Sequence, residues 1–158
     1  MILYHGSNLA VEKPRLMPTK RLLDFGAAFY LTSDFEQARK WSEHAVKIRG
    51  TGNATVSVFE FDDACLSSLK ILKFDVPDHA WLRFVAANRP GKPVNDKYDL
   101  IIGPVANDQS IRTVNDYLNG YFPEDIAIQL LQPQKLKDQY AFKSEAALAC
   151  LRFKEALA

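Results

Sequence analysis

Apolar and polar positions change period several times along this chain. Residues 2–4 and 28–31 are short apolar runs bounded by polar residues or Gly, and each predicts a brief strand. Phe35, Ala38, Trp41 and Ala45 then recur at helical spacing. Ser33-Asp34-Phe35-Glu36 just ahead of them predicts a capping box, with the Ser33 hydroxyl on a free helix amide and Glu36 reaching back. Gly50-Thr51-Gly52-Asn53 ends that helix, and residues 55–61 alternate as a half-buried strand does. Pro77 sits well in the first turn of a helix running to 85. Residues 98–102 form a nearly continuous apolar strand stopped by Gly103-Pro104. Asn107 or Asp108 caps a helix through Leu118, closed by Gly120, and 123–131 predicts another helix. A strand over 139–142, a short helix capped by Ser144 and a last strand over 151–153 complete the reading. The longest loops fall at 14–23 and 89–97. Strands and helices neither alternate strictly nor segregate into long runs. The expected class is therefore α+β, a split, bent, antiparallel-rich sheet with peripheral helices in a single domain over 1–158.

Composition narrows the function more than the fold. At 158 residues and 47% apolar the chain can bury a core without staples. A net charge of +1 gives no whole-molecule field toward nucleic acid or membrane. No apolar run is long enough to span a bilayer, and no basic-then-apolar leader opens the chain, so the cytoplasm is the expected compartment. Cys65 and Cys150 are too few for a disulfide framework or a metal cluster, and Cys150, inside the apolar run 146–151, is expected in the core. His44 and His79 lie on predicted helices without partner ligands, so both are expected at the surface or at caps, and no metal is expected. The chain has no Gly-x-Gly-x-x-Gly and no Gly-rich loop ending in Lys-Ser/Thr, so a dinucleotide here is not held in the Rossmann manner.

The front end carries the candidate chemistry: Tyr4-His5-Gly6-Ser7, then Gly26-Ala27-Ala28-Phe29-Tyr30-Leu31-Thr32, then Trp41. Together these can clamp a flat, cationic heteroaromatic ring. His5 would bond a ribose hydroxyl, and Gly6 would let bare backbone pair with a carboxamide. Ser7 would touch the ribose or the carboxamide, Gly26 would free backbone amides, and Tyr30 and Trp41 would sandwich the ring. Each has a plainer alternative: a structural histidine, or aromatics packed in a core. Lys13, Arg15, Lys20 and Arg21 form a basic loop. It is either a solvated surface or a diphosphate grip, with the planar fork of Arg21 the best candidate and the loop a lid leading into Asp24-Phe25-Gly26.

In His5-Gly6-Ser7, Tyr30 and Trp41 the chain resembles the ADP-ribosyltransferase superfamily, in the His-Tyr-Glu branch of PARP-like and diphtheria-toxin-like domains. More narrowly and over its whole length it resembles the bacterial domain of unknown function 3990. The shared marks are Tyr-His-Gly-Ser, Asp-Phe-Gly-x-x-Phe-Tyr-Leu-Thr and Gly103-Pro104-Val105-Ala106. The resemblance implies a toxin-type mono-ADP-ribosyltransferase with NAD as substrate and no metal. It also implies a macromolecular acceptor (protein or nucleic acid), a small antitoxin as partner, and no membrane. It places His5, Tyr30 and Gln139 in catalytic positions, and His5, Gly6, Ser7, Arg21, Gly26, Tyr30 and Trp41 around the dinucleotide. The branch has a Glu where this chain has Gln139, in Asp138-Gln139-Tyr140-Ala141-Phe142. Gln carries no charge and cannot take a proton, which argues against chain elongation and for single transfer or slow NAD hydrolysis. Asp138 and Asp108 are neighbouring carboxylates that would substitute. The competing expectations are a non-catalytic module that binds NAD or ADP-ribose, and a toxin that modifies nucleic acid.

Overall fold

Among the described residues one isolated backbone bridge joins two sheets, with Tyr4 and Thr32 exchanging amide hydrogen bonds of 2.8 and 3.0 Å. The computed structural model describes residues 1–18, 23–90, 97–106 and 109–158. The first sheet holds β1 (Ile2–Ser7), β3 (Thr55–Phe61) and β7 (Leu151–Leu157) in the order β1-β3-β7, all antiparallel. The second has the order β2-β6-β5-β4, from β2 (Phe29–Leu31), β6 (Asp138–Phe142), β5 (Leu100–Pro104) and β4 (Ile71–Lys73). Only its β4–β5 pair is parallel. The helices are α1 (Phe35–Arg49), α2 (His79–Asn88), α3 (Ser110–Leu118), α4 (Glu124–Leu131) and α5 (Glu145–Leu148), with a 3₁₀ turn at Asp63–Ser67. The expected α+β class is what forms.

Strand alternation sorts the side chains into layers. Leu3, Phe59 and Phe61 of the first sheet meet Phe29, Leu31 and Phe142 of the second in a core between the sheets. The other face of the second sheet, with Ile101 and Ala141, is covered by Trp81, Leu82 and Val85 of α2, Val114 of α3, and Ala127, Ile128 and Leu131 of α4. Helix α1 lies on β1 and β3, with Tyr4 edge-on to Phe35 at 5.4 Å. Strand β3 is covered on both faces. It is therefore buried almost throughout, where its alternation predicts one exposed face.

Several local expectations change for identifiable reasons. Asp34, not Ser33, caps α1, accepting from the Gln37 amide at 2.8 Å. Ser33 is engaged elsewhere, its amide and hydroxyl both donating to Asp138. Asp78 caps α2 through the Trp81 amide, which leaves Pro77 before the helix. The buried side chains of α1 are Ala38 and Ser42, with Phe35, Trp41 and Ala45 half-buried beside them. The cap expected at Asn107 or Asp108 lies outside the described residues. Strand β4 and the 3₁₀ turn are absent from the sequence reading.

The cysteine expectation also needs correcting: Cys65 and Cys150 form a disulfide, with Cα atoms 6.2 Å apart. Pairing of Phe61 with Leu151 sets the start of β7 beside the turn after β3, and the Asp62 amide bonds the Cys150 carbonyl at 3.0 Å. The contact spans 85 residues of sequence, so spacing alone could not show it. Cys150 is buried as expected. No helix of the described residues is long and apolar enough to cross a membrane.

Candidate functional site

His5 follows Leu3 onto the inner face of β1, at the rim of the inter-sheet core. Its ring stacks on Phe29, with centroids 4.3 Å apart and planes at 26°. Its Nδ1 lies 2.8 Å from the Tyr30 carbonyl oxygen. A carbonyl can only accept, so Nδ1 carries the proton and Nε2 keeps its lone pair. Burial pushes the imidazole pKa below its ordinary value. The bond to Tyr30 works the other way, and the nearby Arg49 charge adds to the fall. At neutral pH His5 is therefore a neutral ring with one acceptor nitrogen. Among the described residues the only buried side-chain N or O atom without a partner is Gln134 Oε1. Nε2 of His5, which no protein group engages, is thus reachable from solvent.

Gly6 has its Cα side against α1. A Cβ there would lie 1.9 Å from the Ala38 carbonyl oxygen and 2.8 Å from the Ser42 amide nitrogen. Glycine is required because two backbones touch. The peptide groups of Gly6 look elsewhere. In an antiparallel ladder alternate residues direct N–H and C=O to opposite edges. Tyr4 directs its pair to Thr32, so Gly6 directs its own to that same edge, away from β3. No hydrogen bond among the described residues engages them. A bare donor–acceptor edge therefore stands next to neutral His5.

Tyr30 and Gln139 occupy the opposite face of the second sheet from Phe29 and His5. The Tyr30 side chain packs against the core cluster that holds Phe25, on the helix-covered face of the sheet. Its hydroxyl donates to the Gly26 carbonyl at 2.6 Å and accepts the Phe25 amide at 3.1 Å, which pins the preceding loop. Gly26 sits at φ +80°, and its amide closes a turn on the Leu23 carbonyl at 3.3 Å. Gln139 is 3% exposed, and its amide nitrogen donates to Asp24 Oδ2 at 3.0 Å and to the Pro104 carbonyl at 3.2 Å. Asp24 is also buried, paired with Arg89 at 2.7 Å and accepting the Ala106 amide at 2.9 Å. Asp138 points the other way, held by Thr32 at 3.0 Å and by the amide of Ser33 at 2.9 Å.

A family model described as "Protein of unknown function (DUF3990)" matches residues 1–153. The chain belongs to the DUF3990 family. No curated protein and no solved structure matches it.

In this DUF3990 protein the fold brings His5, Gly6 and Ser7 together with the backbone of Tyr30, but not with the side chains of Tyr30 or Gln139. Trp41 is half-buried on α1, which packs on the first sheet, and it forms no ring pair with Tyr30. Arg21 and Lys20 lie outside the described residues, as does Asp108; Lys13 and Arg15 are exposed. Two surface clefts, of about 470 and 250 Å³, lie elsewhere: one is at the start of β7 and the other at the ends of β4 to β6, and neither is lined by His5, Tyr30 or Trp41. No group of three or more potential metal ligands gathers among the described residues. His44 is exposed, and His79 bonds Glu124 at 2.9 Å on the surface.

Sequence reading missed four polar residues that shape this region. Asp24 had a signal, its place directly before Phe25-Gly26 in the family mark. Arg89 was read as the edge of a loop. Asn8 and Arg49 flank the His-Gly-Ser strand only in three dimensions: Arg49 donates to Ser7 Oγ at 3.3 Å and to Asn8 Oδ1.

Proposed function

We propose that this protein is an NAD-dependent mono-ADP-ribosyltransferase, breaking the bond between nicotinamide and ribose and passing ADP-ribose to a macromolecular acceptor. The support is the unpaired peptide edge of Gly6 beside a neutral His5. One edge of a carboxamide presents an N–H beside a C=O, and the pair complements the free C=O and N–H of Gly6. The Nε2 lone pair of His5 then accepts from a ribose hydroxyl, a role that an imidazolium could not fill. As the glycosidic bond lengthens, its electron pair leaves with nicotinamide, which departs neutral. The anomeric carbon gains oxocarbenium character, and the acceptor's nucleophile forms the new bond there while losing its proton. The protein's part is to hold and orient the dinucleotide and keep water out. Ser7, buried and bonded to Arg49 and Asn8, orders the end of β1 behind the ribose. The hydroxyl of Tyr30 fixes the loop at 25–26, and Trp41 offers an aromatic wall from α1. With α1 seated on Gly6, the nicotinamide slot forms at the outer edge of β1.

In this reading action on a cytoplasmic target, a toxin role and a small antitoxin partner come from the superfamily resemblance. Purified protein incubated with NAD should release nicotinamide, detected by mass spectrometry, and His5→Ala should abolish the release. Wild type no faster than His5→Ala would end the proposal. A mass shift of one ADP-ribose on a protein or a nucleic acid from a bacterial lysate would identify the acceptor class.

A second reading, a module that binds NAD or ADP-ribose without turnover, is favoured by Gln139. Its amide is bonded to Asp24 and supplies no base. Calorimetric binding of NAD with no nicotinamide release would select this reading.

A further inference from the structure

Arg39, Arg83, Arg89 and Arg152 each end on a carboxylate. Arg49, the last residue of α1, does not. Its Nη1 donates only to neutral oxygens, Ser7 Oγ at 3.3 Å and Asn8 Oδ1. Ser7 and Asn8 are buried at 4% and 5% exposure, whereas Arg49 itself is exposed. Neutral acceptors fix a guanidinium in place and leave its charge uncancelled. Among the described residues, Nε and Nη2 of Arg49 have no acceptor.

The seat is itself built. The Asn8 side-chain amide donates to the Thr51 carbonyl at 3.1 Å, and the Asn8 carbonyl accepts the Asn53 amide at 2.9 Å. Gly52, at φ +79°, passes so close that a Cβ would lie 2.0 Å from the Asn8 carbonyl oxygen. The turn after α1 thus wraps Asn8, and Asn8 presents the cation. Asn8 stands two residues beyond Gly6, in the bend just past the end of β1, which puts the seated cation next along the chain from the bare peptide edge.

We propose that Arg49, seated by Ser7 and Asn8, grips the diphosphate of the dinucleotide, an inference that rests on the NAD reading for the identity of the ligand but not for its anionic chemistry. A planar fork with two free donor directions suits paired phosphate oxygens. This assigns to the end of α1 the task that the sequence suggested for the loop around Arg21.

Isothermal titration of wild type, Arg49→Gln and Arg49→Lys with NAD, inorganic pyrophosphate and nicotinamide tests the assignment, with thermal melts confirming that each variant is folded. Arg49→Gln should weaken NAD and pyrophosphate at least about tenfold, the scale of a lost charge-assisted pair, and leave nicotinamide unchanged. Arg49→Lys, which keeps the charge without the fork, should fall between. Equal NAD affinity in wild type and both variants overturns the inference while the NAD reading stands. Pyrophosphate binding that depends on Arg49, with no binding of NAD or nicotinamide, upholds the anion grip and ends the NAD reading. A wild type that binds neither NAD nor pyrophosphate overturns both.

Discussion

The side-chain amide of Gln139 donates to the carboxylate of Asp24 across 3.0 Å, in a site where both residues are almost fully buried. Gln139, the position that the sequence resemblance sets against a catalytic acid, is thus a donor bound to a buried carboxylate. Gln139→Glu would set two carboxylates against each other with one Arg89 between them. The variant should lose about 3 kcal/mol at pH 7 rather than simply gain turnover. Like-charge contact raises a carboxyl pKa in the folded state above its unfolded value. The deficit should therefore shrink as pH falls toward 5 and one of the pair takes a proton. Urea melts of wild type and variant at pH 7 and 5 measure this, and a deficit unchanged between the two would contradict it.

Arg89 is the countercharge in the same network, 2.7 Å from Asp24. Arg89→Ala leaves a buried carboxylate without its ion pair and should cost about 3 kcal/mol. Adding Asp24→Asn removes the stranded charge, so the double variant should be more stable than Arg89→Ala alone. Additive losses in this cycle would show that the pair is not coupled.

His5 is neutral in the fold because burial disfavours its charged form. A histidine whose folded pKa lies below its unfolded value near 6.5 adds nothing to the pH dependence above that value. Below it the unfolded chain binds the extra proton first, so stability falls with acid until the folded pKa is passed. His5→Gln should lack that part of the decline. Denaturation midpoints between pH 7.5 and 5, by about half-unit steps, report the difference; parallel curves would place the imidazole in water.

The period changes made several elements legible: β2, α1, β3, α4 and β6 form close to where the apolar pattern puts them, α5 follows its Ser144 cap, and β1 runs three residues past its apolar stretch. Legibility failed where a contact crosses the chain. Ser33 reads as a cap from its neighbours, yet Asp138, a hundred residues on, claims it. The three residues of β4 are too few to show a period, and only pairing with β5 defines them. The front of the candidate site, His5-Gly6-Ser7, is contiguous and was visible. Its supports Asn8 and Arg49 become neighbours only through the turn of α1 back onto β1. Gln139 reads as a strand end, exposed or catalytic, until Asp24 is found beneath it.

The disulfide between Cys65 and Cys150 joins the 3₁₀ turn after β3 to the residue before β7. A loop of this length removes chain entropy from the unfolded state worth about 4.6 kcal/mol. Reduction, or Cys65→Ser with Cys150→Ser, should lower the urea midpoint accordingly without changing the pairing of β7 on β3. A cytosol that keeps thiols reduced would hold the protein in this less stable form. Identical midpoints with and without reductant would remove the staple from any role in stability.

Gly6 ties the site to the fold most directly. The Cβ of Gly6→Ala would lie 1.9 Å from the Ala38 carbonyl oxygen, and neither partner is a side chain that can rotate aside. Helix α1 must lift from β1, with a loss of about 3 kcal/mol, the upper part of the range for overpacking. Truncating Ser42 would not rescue the variant, because the conflict is with backbone. Lifting α1 would also shift Arg49 away from Ser7 and Asn8 at its far end, so the cation and the bare peptide edge would be lost together. Gly6→Ala should therefore melt earlier and expose α1 to limited proteolysis. It should also bind NAD more weakly than Arg49→Gln does. A Gly6→Ala protein that melts like wild type would mean that α1 does not rest on β1 at this residue, and the slot beside His5 would have to be drawn differently.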